Sequence, residues 1–246
     1  MSDNAKERLA EALNLVLADD ESQALRERVA RDVPSALSSN GLRLLIHHEL
    51  DSNAAGVGFA TATLMAGELG EGARRLFVAG LWYPGAALVR QLIECGYLLT
   101  LMSESRDEAD AWMRSGHDEI VSRFMVRHMR KRAAQNFRAT EYEKHCDLGG
   151  HPNPAGRTLL RSRADHQLVS SRCHWLDLAQ HLADTWTAFV AALPFYDPRM
   201  QPGDPLYGPH RSPESGDSIA RLVAAWRRAD HAGLTASVPE LASEAT

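Results

Sequence analysis

The sequence predicts an all-α protein, a multi-helix bundle with long antiparallel helices, a proline-rich arm and a C-terminal helix. Apolar residues recur at intervals of three and four along most of the 246 residues, which is the period of an amphipathic helix. No stretch alternates apolar and polar residues over the length of a strand. Most prolines lie between the periodic segments, where they interrupt helices.

The N-terminal helices are predicted over residues 3–50. Their thin apolar stripe is broken near Asp19 and Asp20, and Pro34 together with residues 38–41 predicts the end of the first helical unit. A short apolar piece, 42–50, leads to Asp51-Ser52-Asn53, a good N-cap cluster. Residues 54–70 are rich in alanine and glycine, so another helix can approach them closely. This small-residue segment and the long helices make the chain a predicted homodimer or other homo-oligomer.

Five helices follow in the prediction. One covers 72–82, and the next begins at Pro84, a residue suited to a first helical turn, and runs to about Met102. Ser103 or Ser105 is expected to cap a long charged helix that extends from Arg106 to about Phe137. A shorter helix covers about 142–147. The clearest apolar stripe, in 172–193, consists of Trp175, Ala179, Leu182, Trp186, Phe189, Val190 and Leu193.

The predicted domain organisation is one helical bundle followed by an arm. Residues 1–196 form the bundle domain. Residues 197–217 are rich in proline and glycine and are expected to form a linker or a surface arm. Residues 218–246 are predicted to hold a last helix, Ser218 to about Ala229, and a frayed tail.

Composition and charge restrict the compartment and the partners. Three cysteines that are not in metal-binding spacing argue against a disulfide scaffold and favour a reducing compartment. The N-terminus lacks the apolar core of a signal peptide, and two charges near the middle of 84–102 argue against a membrane span. We therefore predict a cytoplasmic protein without membrane contact. The net charge of −5 excludes no class of function and indicates no strongly basic partner surface overall.

Arg90 and Glu94 are the most informative residues of the sequence. They lie four residues apart in an otherwise almost wholly apolar helix, so their side chains can meet, and Tyr97 follows on the same stripe. A buried ion pair stabilises a protein little, which leaves two interpretations open. In one, the pair is a structural connection between helices. In the other, it belongs to a catalytic or binding site.

Three other sets of polar residues are candidates for function. His151 lies in a stiff Gly- and Pro-rich loop and could act in acid–base chemistry, or it could be a surface histidine. Residues 120–140 contain six basic side chains and no acid, and Arg123, Arg127 and Arg130 are expected near one helical face that could follow phosphates or pair with acids. His174, Asp177, His181 and Asp184 share a face opposite the core stripe; such residues are good metal ligands, but solvation of that face is the interpretation adopted. No metal or cofactor is predicted.

Residues 85–94, Tyr97-Leu98-Leu99, Tyr142 and Gly150-His151-Pro152 resemble a bacterial family of helical domains of unknown function. That family combines an Arg-x3-Glu helix with a later His-Pro loop and is similar to the higher-eukaryote-and-prokaryote nucleotide-binding superfamily. The likeness covers residues 55–193 and implies that Arg90, Glu94 and His151 occupy the family's polar positions. It also implies RNA cleavage, nucleotide binding or a role in toxin and phage-defence systems.

Two hypotheses of function follow. In the first, the protein binds or cleaves RNA or nucleotides: His151 exchanges protons, Arg90 stabilises phosphate charge, Glu94 positions one of them, and Tyr97, Tyr142 and the basic residues contact the ligand. The Arg-x4–6-His signature of the superfamily's ribonucleases occurs four times, about as often as chance gives, and does not by itself predict cleavage. In the second hypothesis, the protein is a non-catalytic ligand-binding or oligomerisation module.

Overall fold

The computed structural model of the protein describes residues 14–132, 142, 145–146, 154–160, 167–197 and 216–237. This part of the chain is helical and contains no strand, which confirms the all-α prediction. Short helical turns occupy His117–Glu119, Ile120–Phe124 and Pro154–Leu159. The longer helices are α1 (Asp20–Leu50), α2 (Ala54–Val78), α3 (Trp82–Glu104), α4 (Arg106–Arg114), α5 (Val126–Arg132), α6 (Gln167–Tyr196) and α7 (Gly216–Ser237).

Local capping fixes where several helices begin. Asp19 accepts a hydrogen bond from the backbone N–H of Ser22 at 2.7 Å at the start of α1. Asn53 does the same for α2 through Gly56 N–H at 3.2 Å, and Ser105 caps α4 through Asp107 N–H at 3.2 Å. Each side chain satisfies a backbone donor that has no partner inside the helix. The predicted caps at 51–53 and at 103 or 105 are therefore confirmed.

The predicted break of the first helix at Pro34 and residues 38–41 is wrong. Helix α1 runs without interruption to Leu50, with Pro34 inside it. Packing against α2 explains this, because Pro34 is buried beside Gly70 and Gly41 beside Leu64. Tertiary contacts of this kind override the unfavourable helix propensity of single residues.

The single long helix expected from Arg106 to Phe137 is also wrong. Helix α4 ends at Arg114, the backbone is extended at Ser115 and Gly116, and it is extended again at Met125 before α5. These breaks turn the segment back on itself, so that Phe124 and Met129 are buried against the core. One straight helix could not bury both side chains and Ala109 on the same bundle.

The core lies where α6 packs against α1, α2 and α3. Its aromatic centre is Phe59, whose ring stacks on Tyr196 with a centroid distance of 4.3 Å and on Phe189 with 5.7 Å. The Tyr196 hydroxyl donates a hydrogen bond to the carbonyl oxygen of Met102 at 3.0 Å and thereby connects α6 to the end of α3. Helix α6 continues through Pro194, beyond its predicted end at Leu193.

Glycines allow the close approach of α1 and α2. A methyl group at Gly56 would lie 2.2 Å from the His48 ring, and one at Gly67 would lie 2.3 Å from the Ser38 hydroxyl. The small residues of 54–70 thus serve contacts inside one chain. The homo-oligomer stays a prediction. No helix in the described ranges combines the length and the hydropathy that a bilayer-spanning segment needs.

The last helix is attached to the first by a buried ion pair. Arg26 in α1 is fully buried and donates two hydrogen bonds to the Asp230 carboxylate in α7, at 2.6 and 3.2 Å. It also donates to the carbonyl oxygen of Val16 at 3.0 Å. Ile219, Leu222, Val223 and Trp226 bury the apolar face of α7 around this pair. The division into domains at 196 and 217 stays a prediction.

We expect Gly56→Ala to lower the free energy of unfolding by about 1–3 kcal/mol, because the added methyl group meets the His48 ring. Gly116→Ala is the matched control, since a methyl group there has no atom within 4 Å and the backbone is not left-handed. Urea unfolding followed by circular dichroism measures both. Equal stability of the two variants would contradict the close packing described for α1 and α2.

We expect Arg26→Met to lower the free energy of unfolding by about 3–5 kcal/mol, because it leaves the Asp230 carboxylate buried without its partner. The double replacement Arg26→Met, Asp230→Leu should regain most of this loss, since it removes both charges. Arg114→Met is the control. It breaks an exposed pair with Asp110 and should cost less than about 1 kcal/mol. Denaturant titration of the four proteins distinguishes these outcomes.

Candidate functional site: an acidic cleft beside helix α3

Helix α3 brings Arg90 and Glu94 together as their spacing predicts. Arg90 Nη2 lies 3.2 Å from Glu94 Oε1. The side chains retain 21% and 30% of their exposure, so the expectation of a buried pair is wrong. Helices α2 and α6 cover two sides of α3, and the side that carries Glu94 faces a cleft instead. Loss of Arg90 would therefore destabilise the fold much less than a buried pair implies.

Tyr142 completes a polar cluster around Glu94. Its hydroxyl donates a hydrogen bond to Glu94 Oε1 at 2.7 Å. The ring lies 6.1 Å from the ring of Tyr97, which is buried, and 6.0 Å from the guanidinium carbon of Arg130. Burial, the hydrogen bond to Glu94 and the charge of Glu94 raise the pKa of Tyr142, so its phenol is a donor at neutral pH.

The structure thus unites several residues that the sequence singled out. Arg90, Glu94, Tyr97, Tyr142 and Arg130 form one neighbourhood, although Tyr142 is 48 residues from Glu94 in the chain. The predicted His151 lies outside the described residues. The role of His151 in proton exchange stays a prediction.

A cleft of about 560 Å³ opens beside this cluster, between α2, α3 and the segment that contains α4 and α5. This volume is in the usual range for small-molecule sites. Among the residues that the structure describes, two carboxylates line it and no lysine, arginine or histidine does. The lining residues are Met65, Glu68, Leu69, Leu88, Gln91, Glu94, Cys95, Leu98, Trp112, Phe124 and Met129.

The basic run does not form the continuous charged face that the sequence predicts. Arg123 and Arg132 both contact the Glu108 carboxylate, at 2.9 and 2.7 Å, and both guanidinium groups lie over the Phe124 ring. Arg127 is exposed and donates to His128 Nε2 at 2.9 Å. The backbone breaks at Met125 place Arg123 and Arg127 in different helical segments. Glu108 thus neutralises part of the positive charge that the sequence predicts for phosphate binding.

A second polar cluster lies on α6, where the solvated face expected for His174, Asp177, His181 and Asp184 is confirmed for Asp184 and wrong for His181. His181 is buried, and its Nε2 lies 3.4 Å from Asp177 Oδ1. His145, also buried, places its Nε2 3.2 Å from the same oxygen. Burial raises the pKa of Asp177, but hydrogen bonds from His145 and His181 outweigh it and hold that pKa below its ordinary value. The ring nitrogens of His145 and His181 and the carboxylate oxygen of Asp177 are close enough together to bind one metal ion.

No protein-family model, curated protein sequence or solved structure matches this chain. The family resemblance inferred from residues 55–193 therefore stays a prediction. Interpretation of the two clusters depends on their geometry and chemistry.

We expect the Cys95 thiol in the cleft to react slowly. Burial raises the pKa of Cys95 to about 12, and the Glu94 carboxylate contributes to the rise. The smaller thiolate fraction outweighs the greater nucleophilicity of a basic thiolate, so alkylation by iodoacetamide at pH 8 should be on the order of 50-fold slower than for an ordinary cysteine. Peptide mapping by mass spectrometry measures Cys95, and the same chain unfolded in urea is the control. Equal rates in both states would contradict the burial.

Proposed function

We propose that the protein is a non-catalytic ligand-binding module whose cleft takes a small organic cation with an apolar body. The observation that supports this most directly is the composition of the lining. Glu68 and Glu94 contribute two carboxylates, no basic side chain of the described ranges lines the cleft, and most of the remaining wall is apolar. Pockets of this kind bury an apolar ligand and orient it through a few polar groups.

The two carboxylates have different roles in this proposal. Glu94 is held in place by Arg90 and Tyr142, and Arg90 compensates much of its charge. Glu68 is exposed and forms no ion pair within the described part of the chain. The cleft therefore has an excess of negative charge next to Glu68, and Glu94 is an oriented hydrogen-bond acceptor. Together they favour an ammonium group over a carboxylate or phosphate.

Aromatic side chains support the preference for a cation. The rings of Trp112 and Phe124 line the cleft, and aromatic faces attract cations through their quadrupole. The Phe124 ring already contacts the guanidinium groups of Arg123 and Arg132, at 5.2 and 5.4 Å. Trp112 is therefore the ring assigned to the ligand. An ammonium group near Glu68 with its apolar body against Trp112 satisfies both kinds of contact.

The predicted binding of RNA or nucleotides is the second proposal, and one observation favours it. Arg90 and Arg130 both lie next to Tyr142, so two guanidinium groups are present at the rim of the cleft. A phosphate held by them would lie outside the acidic lining. A toxin- or defence-like role and the participation of His151 belong to this second proposal. Arg123 and Arg132 would have to break their ion pairs with Glu108 before they could bind a phosphate.

Location and assembly are also proposals. The three cysteines are free thiols, which agrees with the reducing cytoplasm inferred from the sequence. The proposed homo-oligomer has no support from the glycines of α2, because these contact α1, α3, α4 and α6 of the same chain.

Calorimetry with three ligands of one skeleton tests the preference for a cation. We expect 4-phenylbutylamine to bind about 5-fold more tightly than 4-phenylbutanol, and 4-phenylbutyrate to bind most weakly, because an ion pair with the exposed Glu68 is worth up to about 1 kcal/mol. Glu68→Gln should abolish the advantage of the amine, and Glu94→Gln should reduce it. Glu104→Gln, an exposed position at the end of the same helix, is the matched control.

The same experiment separates the two proposals. Equal binding of the amine and the alcohol, or an advantage of the amine that survives Glu68→Gln, would contradict the cation site. Binding of AMP or a short RNA that is lost in Arg90→Ala and Arg130→Ala but kept in Glu68→Gln would support the second proposal instead. Circular dichroism of each variant confirms that the fold is intact.

A further inference from the structure

Three side-chain atoms from two separate segments converge on one point beside α6. They are His145 Nε2, His181 Nε2 and Asp177 Oδ1. The two nitrogens lie 3.1 Å apart, and Asp177 Oδ1 lies 3.2 Å from His145 Nε2 and 3.4 Å from His181 Nε2. The two imidazole rings meet edge to face, with an interplanar angle of 77°. Both histidines are buried and Asp177 is 31% exposed, so the point is enclosed but accessible from one side.

These three atoms form a triangle, and its size matches that of a metal site. Zinc binds imidazole nitrogen and carboxylate oxygen at about 2.0–2.1 Å with tetrahedral geometry, which places its ligand atoms about 3.3 Å apart. The three observed distances lie within 0.2 Å of this value. Asp177 and His181 are one turn apart on α6, and His145 approaches them from the segment that also holds Tyr142.

Hydrogen bonds among the three groups satisfy only part of the triangle at one time. With a hydrogen on only one of the two Nε2 atoms, the other nitrogen presents its lone pair to the Asp177 carboxylate oxygen. With a hydrogen on both nitrogens, two N–H groups face each other at 3.1 Å. Every assignment of ring hydrogens thus leaves one unfavourable contact between buried groups. A cation at the centre satisfies all three lone pairs at once.

The imidazole of His174, on the same helix as Asp177 and His181, is a further polar group with a buried nitrogen. His174 lies one turn before Asp177 on α6, and its Nε2 is buried without a hydrogen-bond partner among the described residues. Its ring stacks on Trp82 at a centroid distance of 5.5 Å. A buried polar atom without a partner requires an explanation in a native structure. His174 thus adds a further, partly buried imidazole to this part of α6, although the atoms that converge are those of His145, Asp177 and His181.

We propose that His145, Asp177 and His181 bind one divalent first-row transition-metal ion, with zinc as the first probe. Two imidazoles and one carboxylate are a ligand set that suits such ions and disfavours calcium or magnesium, which prefer oxygen ligands. The described residues supply three ligands and no fourth. The metal site is independent of the cation proposed for the cleft, because Glu68 and Glu94 are not among its ligands.

The test uses the full chain without an affinity tag, stripped of metal with EDTA and titrated with ZnCl₂ against a competing chelator. We expect one zinc per chain with a Kd of about 1 µM or tighter. Co²⁺ should give the intense visible absorption of a tetrahedral site. Asp177→Asn and His181→Asn should each weaken zinc binding at least about 100-fold, since even partners outside the ligand shell contribute 10- to 100-fold.

His47→Asn is the matched control, because His47 and Asp51 form a His–Asp pair four residues apart on the surface, with 3.5 Å between Nε2 and Oδ2. It should leave zinc affinity unchanged. His181→Cys replaces one ligand by another and should retain zinc. Failure of the parent protein to bind zinc overturns the proposal. So does binding that Asp177→Asn and His181→Asn leave unchanged. Neither result bears on the ligand of the cleft, which calorimetry with the phenylbutyl series tests separately.

Discussion

The position of α6 at the centre of the bundle is the constraint on which the rest of the structure depends. Helices α1, α2 and α3 all pack against it, and the exposed residues of its described part are confined to one stripe after His181, which consists of Asp184, Thr187, Val190, Ala191, Pro194 and Phe195. Its apolar residues form the core, and its polar residues His181 and Thr185 are buried as well. A buried imidazole needs polar partners in its immediate surroundings. The cluster around Asp177 is therefore a direct consequence of how thoroughly α6 is enclosed.

Local features of the fold could be predicted from the sequence, and features set by packing could not. Asn53 and Ser105 cap their helices because capping depends only on the next two or three residues. Pro34 appeared to end a helix because propensity is also a local property. Its place inside α1 depends on the glycines of α2, which are more than thirty residues away. The breaks after Arg114 likewise follow from the burial of Phe124 and Met129.

The candidate sites divide in the same way. The contact of Arg90 with Glu94 follows from helical geometry, and so does that of Asp177 with His181. How exposed each pair is depends on which helices cover α3 and α6, and both expectations were wrong in that respect. The approach of His145 to α6 leaves no trace in the spacing of residues. Arg26 and Asp230, the buried pair, are 204 residues apart. Arg26 lies in a helix with many other charged residues, so nothing in the sequence marks it as the buried one.

Helix α7 binds the rest of the bundle as an intramolecular ligand would, because it is docked on α1 and covalently joined to α6. Residues 198–215 join it to α6, and its apolar face and Asp230 occupy a receptor surface that includes Arg26. A short covalent connection holds such a segment at an effective concentration in the millimolar range. The helix can therefore remain docked even if its intrinsic affinity is modest. Cleavage of the connection would convert an intramolecular equilibrium into a bimolecular one that depends on the concentration of protein.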